Sequence, residues 1–333
     1  MTAATETGEA TTAPAWRCFT FGGSVVRTDR AFADLQPAPS SACAAMTLRR
    51  IEGEFPPFGE LVREFDDPAD GASVLRACED ENGVQWVIRH VGRVWLHPGG
   101  DLVEYELASD AQDEDIETYL GGPVLGVAAQ QRGETLLHAA SVPCRGGAAA
   151  FSAPSGFGKS TLAASFTLAG VPLLSDDILP VREAGERWLA TPFLPKLKLW
   201  DESLEGLGMR DAHDYARAFS WLDKKRVDIG RQWGSMATGE LPLRVLYLLR
   251  PHLNEARRDL IEFRELSTIE AALAVQGAMY MPELLRGARA RHALEAGARL
   301  ASTVPVRLVS YYRSFDGLEA LRTRLLADAD SIA

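Results

Sequence analysis

The stretch Ala153-Pro154-Ser155-Gly156-Phe157-Gly158-Lys159-Ser160-Thr161 constrains this chain more than any other. It fits the Walker A pattern GxxxxGK[ST], with Ala153 in place of the first glycine. Each position has a chemical reason. Gly156 and Gly158 let the backbone turn so that successive N–H groups point at phosphate oxygens. A helix opening at Lys159 adds its positive N-terminal end. Lys159 neutralises the β- and γ-phosphates, and Ser160 offers a hydroxyl to Mg²⁺. The flanks agree: an apolar strand over 148–151 precedes the loop, and a helix from Lys159 to Ala169 follows, stopped by Gly170. Ala153 suits this place if the position requires a small residue more than a positive φ.

Two further features lie within reach of that loop in sequence. Ser175-Asp176-Asp177 ends a short apolar run, Pro172–Leu174, expected to be a strand, with Ile178–Val181 continuing as the next one. A carboxylate at the end of a neighbouring strand can hold Mg²⁺, and a second can take a proton from an attacking hydroxyl. The same residues also make a good solvated turn. His138 is expected mid-strand in the β-like run Leu136–Val142, where a satisfied core histidine is the ordinary reading.

Beyond these residues the chain narrows the choice of fold and partners. At 333 residues, two domains are expected. Residues 16–108 carry short apolar runs broken by turns, among them Arg17–Phe21, Ser24–Val26, Ala42–Leu48, Val84–His90 and Arg93–Leu96. They read as a β-rich unit with no chemical motif. From 133 onward strands and helices alternate, which indicates α/β. A helix is expected over Tyr119–Gln131, with Pro123 in its first turn. The net charge of −11 argues against nucleic-acid or anionic-membrane partners. Four scattered cysteines read as reduced thiols in a cytoplasmic protein. Residues 1–15 lack the basic start and apolar stretch of a secretory signal and are expected to form a disordered tail.

The block from Leu136 to Val181 resembles the catalytic domain of the HPr kinase/phosphorylase family. It is still more similar to the shorter HPr-kinase-related bacterial proteins, some of which are encoded beside peptide-tailoring genes and phosphorylate a peptide serine. The shared features are a Leu-His strand, a glycine turn, a strand, the glycine loop, a helix ending in Gly170, and the Asp176-Asp177 pair at a similar separation. The resemblance implies an α/β fold related to phosphoenolpyruvate carboxykinase, with the P-loop on a mixed sheet. The N-terminal β-rich unit would span 16–112 and the catalytic unit 113–333. It implies ATP held by Ser155, Gly156, Phe157, Gly158, Lys159, Ser160 and Thr161. It also implies Mg²⁺ at Ser160 and Asp176, Asp177 as general base, and His138 in the active site.

The family's downstream Glu-Ile-Arg-Gly-Leu-Gly-like stretch is not recognisable here. Trp200-Asp201-Glu202-Ser203 lies in its place, with Asp201 reading as a helix cap. Arg226, in Lys224-Lys225-Arg226, is the candidate for a phosphate-contacting arginine; a solvated basic run is the alternative. The expectation is a Mg²⁺-ATP-dependent kinase acting on a hydroxyl, a serine of a peptide or small protein such as a neighbouring gene product. The alternatives are an ATP-binding regulatory or scaffold protein without an acceptor, and a small-molecule kinase. An ABC-type ATPase or a GTPase would need LSGGQ-like or NKxD-like motifs, which are absent.

Overall fold

The computed structural model describes residues 15–67, 69–209, 215–232 and 234–332. The tail expected over 1–15 lies outside these residues apart from Ala15.

Residues before 108 form one mixed sheet of nine strands in the order β3-β1-β2-β4-β9-β8-β7-β6-β5. These are β1 (Arg17–Phe21), β2 (Ser24–Thr28), β3 (Gln36–Pro37), β4 (Met46–Arg50), β5 (Glu60–Asp66), β6 (Ser73–Asp80), β7 (Gly83–Ile88), β8 (Gly92–Leu96) and β9 (Leu102–Leu107). Period-two patterning builds it. In β8, Val94 and Leu96 point into the core while Arg93 and Trp95 stay partly exposed. β6 and β9 were not evident in the sequence because charged residues interrupt their apolar runs (Arg76, Glu104, Glu106).

The first helical stretch differs from expectation. It begins earlier, at α1 (Asp113–Tyr119), passes through one wide turn over Leu120–Val124, and continues as α2 (Leu125–Gln131). Pro123 sits inside the wide turn. Its ring excludes the regular backbone hydrogen bond, and the extra residue per turn absorbs the clash.

The second sheet has eight strands, β10 (Thr135–Leu137), β11 (Ala139–Cys144), β12 (Gly147–Ser152), β13 (Leu179–Ala184), β14 (Arg187–Ala190), β17 (Leu241–His252), β18 (Ile261–Glu265) and β19 (Val306–Tyr312). β17 is central, and β12 lies between it and the edge strand β11, antiparallel to β11 and parallel to β17. All of Gly147–Ser152 is buried, so both faces of the strand need cover. Ala149 and Phe151 meet α3 (Lys159–Leu168) and α8 (Leu318–Ser331) through Leu162, Phe166, Leu321 and Leu325. Ala148 and Ala150 meet α6 (Thr268–Gly277) and α7 (Gly287–Thr303) through Ala271, Val275, Ala296 and Leu300. Helices on both faces make a three-layer α/β arrangement, and the small alanines allow close approach.

A separate two-stranded ribbon pairs β15 (Lys196–Trp200) with β16 (Lys224–Asp228), with α4 (Asp201–Gly206) following β15. A further core joins the first sheet to this half: Phe21 packs edge-on to Phe193 at 4.8 Å, and Leu120, Leu136, Ile178 and Tyr280 complete it. Among the described residues no helix is long and apolar enough to cross a membrane. The four cysteines are unpaired. Cys78 is buried, Cys18 and Cys144 are half-buried and Cys43 is exposed.

Candidate active site

The glycine loop leaves β12 and enters α3 as the spacing required. Gly156 has φ 82° and Gly158 φ 90°, both left-handed. An added Cβ at either would meet open space, so backbone conformation rather than crowding calls for glycine there. Ala153 has no positive φ, which explains why alanine serves where the pattern has glycine. Gly158 caps α3 without a side-chain acceptor, leaving the first-turn N–H groups facing the loop. Lys159 is 6% exposed, and its Nζ donates to Ala153 O at 2.6 Å and Pro154 O at 3.3 Å. Burial draws its pKa down, opposed by Asp177 and Asp176.

The Asp pair is brought beside the loop by backbone pairing. Pro172–Leu174 does not form the expected strand. Leu173 and Ser175 make single bridges to Met236 and Ser141, and Ser141 N donates to Ser175 O at 2.8 Å, which pins the turn to β11. These single bridges replace a ladder because the chain turns away at once: Asp177 has φ 70°, a strained conformation for a non-glycine residue. Ser160 Oγ donates to Asp176 Oδ1 at 3.0 Å. Asp176 is 6% exposed, and burial together with the Asp177 charge pushes its carboxyl above the usual range. Asp177 goes the other way. Burial opposes ionisation, but the Lys198 ammonium at 3.0 Å and His138 at 3.2 Å outweigh it and hold the carboxyl well below the usual range.

His138 is not mid-strand. It lies between β10, which pairs with β13, and β11, which pairs with β12. The chain changes partners there, so the ring leaves the pleat and its backbone N–H goes to Ala278 O at 2.7 Å. Nδ1 donates to Asp177 O at 3.0 Å. A carbonyl can only accept, so Nδ1 carries the proton in this contact.

A cavity of about 630 Å³ gathers most of these groups: His138, Asp177 and every residue from Ser155 to Thr161. Asp176 lies behind Ser160 rather than on the cavity wall. Thr161 shares a 2.9 Å hydrogen bond with Ser203 Oγ on α4. The cavity also takes in Lys198 and Lys224, which sequence reading missed. Their signal is alternation: Lys196-Leu197-Lys198-Leu199 pairs antiparallel with Lys224-Lys225-Arg226-Val227, so the leucines and valine turn inward and Lys198 and Lys224 share the other face.

The basic run divides into three environments. Lys224 faces the cavity, Lys225 pairs with Asp201 at 3.7 Å and Asp223 at 3.3 Å, and Arg226 pairs with Asp34 at 3.3 Å. Arg226 therefore does not line the glycine-loop cavity, because Asp34 from the first half of the chain holds it on the far side of Lys198. Asp201 is the first helical residue of α4 and not its cap, since Trp200 occupies that position and the Asp201 carboxylate turns to Lys225. Among the described residues no three His, Cys, Asp or Glu side chains cluster closely enough to hold a metal alone.

No family model matches this sequence, and no curated protein sequence matches it. Among solved structures the chain is similar to the HPr(Ser) kinase/phosphatase from Coxiella burnetii, at 9% identity over 58% of this chain and 94% of that one, with a TM-score of 0.31. The functional reading rests on the site's own geometry.

Proposed function

We propose that this chain is a Mg²⁺-ATP-dependent phosphotransferase that moves the γ-phosphoryl group to a hydroxyl, a serine of a peptide or small protein. One observation carries the reading: Ser160, beside Lys159 at the head of α3, donates to Asp176 at 3.0 Å, and Asp177 lines the same cavity as Lys159 and Ser160. Loop amides and Lys159 would hold the phosphates. The residues present suit a metal that arrives with the nucleotide, because Mg²⁺ commonly takes one or two protein oxygens and the rest from phosphate and water. Ser160 would supply one such oxygen. Asp176, accepting its hydroxyl proton, would orient it and add charge. Bound Mg²⁺ would neutralise developing charge on the phosphoryl oxygens.

Asp177 would accept the hydroxyl proton, with His138 Nδ1 and Lys198 fixing its orientation. A carboxylate held so strongly ionised is a weak base, so in this reading positioning and charge carry most of the rate. We assign 16–112 and 113–333 as the two domains. In support, β1 to β9 pair with no strand after residue 113 among the described residues.

The test is incubation of the purified protein with γ-labelled ATP, Mg²⁺ and candidate serine peptides. Transfer that is lost in Lys159→Ala is expected. Mg²⁺-dependent ATP binding without labelling of any peptide would instead favour a regulatory scaffold, and no ATP binding would end the proposal.

A further inference from the structure

We propose that Lys224 binds the γ-phosphoryl group, so that the transferring end of the triphosphate is held by the β15–β16 ribbon as well as by the glycine loop. This rests on the ATP-binding reading above and extends it to a residue outside any motif.

The argument begins with how the neighbouring cations are used. Lys159 donates to the loop's own carbonyls, and Lys198 is paired with Asp177. Lys196 and Arg226 share Asp34, and Lys225 takes Asp201 and Asp223. Lys224 is different. Among the described residues it has no carboxylate within ion-pair distance; its Nζ stands 5.6 Å from the centre of the Trp200 ring. It nevertheless borders the same cavity as Lys159, Asp177 and Lys198. Burial and the Lys198 charge draw its pKa down, while Asp177 and Asp176 oppose them.

Charge counting points to a missing anion. The cavity wall carries four cations, Lys159, Lys198, Lys224 and Arg313, against two carboxylates, Asp177 and Glu202. A half-buried ammonium with no carboxylate paired to it leaves a place for a ligand anion. A polyphosphate supplies that charge. The end of it that Lys224 meets follows from its companions: it is grouped with Asp177 and Lys198, where transfer would occur, whereas the loop amides surround the remainder of the chain of phosphates. A lysine suits this place, since a compact point charge on a flexible stem can follow the phosphoryl group as its bonds lengthen.

The experiment is calorimetric titration of the full chain, in Mg²⁺, with ADP and with the β,γ-imido analogue of ATP. Wild type is expected to bind the triphosphate more tightly. K224M should weaken the triphosphate by about 10- to 100-fold, the range for a charge-assisted contact, and leave ADP nearly unchanged. A second measurement avoids dependence on that variant folding. Acylation of Lys224 in wild type, followed by mass spectrometry, should be blocked by the triphosphate and not by ADP. If wild type binds both nucleotides but K224M weakens them equally or not at all, or protection is equal, Lys224 is not at the γ-phosphoryl group and the ATP reading survives. If wild type binds neither nucleotide, the phosphotransferase reading falls and this assignment falls with it.

Discussion

Replacing Asp177 by Asn keeps the side chain's size and suits its left-handed backbone, so the change isolates the charge. The carboxylate lies 3.0 Å from Lys198 Nζ and 3.2 Å from His138 Nδ1, and its side chain is 30% exposed. Exposed pairs contribute about 0–1 kcal/mol, and breaking a buried pair costs about 3–5 kcal/mol. A site this open falls between, so D177N should cost about 1–3 kcal/mol. At about 2.1 cal/mol/K per residue, a chain this long has an unfolding entropy of roughly 0.7 kcal/mol/K, so Tm should drop by about 1–4 °C.

The pH dependence has a definite sign. A carboxyl whose folded pKa is depressed stabilises the protein above its unfolded pKa, near 3.9, and loses that contribution as pH falls through the folded value. The gap between wild type and D177N should therefore be flat from about pH 5 to 8 and close below about pH 4. Combined with K198M in a double-mutant cycle, the coupling should reach about 1 kcal/mol. Phosphoryl transfer should fall by about 100- to 10,000-fold while Mg-ATP affinity changes little. Transfer at the parental rate would refute the base assignment. Stability losses that add within about 0.3 kcal/mol would refute the pair's role in holding the site.

Four other outcomes follow from the same geometry. D176N should leave the nucleotide-free protein as stable or more stable at neutral pH, because a carboxyl raised by burial disfavours the fold when ionised, yet it should weaken the Mg²⁺ dependence of ATP binding; thermal melts and calorimetry check both halves. A153G should cost only about 0.4–1 kcal/mol, through the freer unfolded chain, and keep nucleotide binding. G158A, at φ 90°, should cost about 1–2 kcal/mol and impair binding, as read by urea unfolding and titration. D34A takes the carboxylate from Arg226 and leaves Lys196 only Asp228 at 4.0 Å, their side chains being 21% and 13% exposed, and should cost about 2–4 kcal/mol in urea unfolding.

Those positions also mark what the sequence made legible. The glycine loop and its helix were readable because the chemistry is local: two left-handed glycines, a lysine and a hydroxyl need fixed spacing within one turn, and that spacing is visible in nine letters. The Asp pair was readable as a candidate, but its contact with Ser160 depends on Ser141 and Ser175 pairing across 34 residues, which no local pattern announces. His138 was found for its residue type and misplaced in its element, since a strand that changes partners looks continuous in sequence. Lys198 and Lys224 were out of reach for a different reason. They are separated by a stretch that includes residues outside those described, and they come together only because Trp200 and Lys224 stand in register on the ribbon. Arg226 and Lys224 share one face of the ribbon, so the strand pattern alone does not say which of them reaches the cavity. Asp34, more than 150 residues earlier, decides it by drawing Arg226 to its own side. The connection between β2 and β3 thus reaches the ribbon through Asp34, and the placing of the ribbon's cations depends on that long-range ion pair as well as on the ribbon's own alternation.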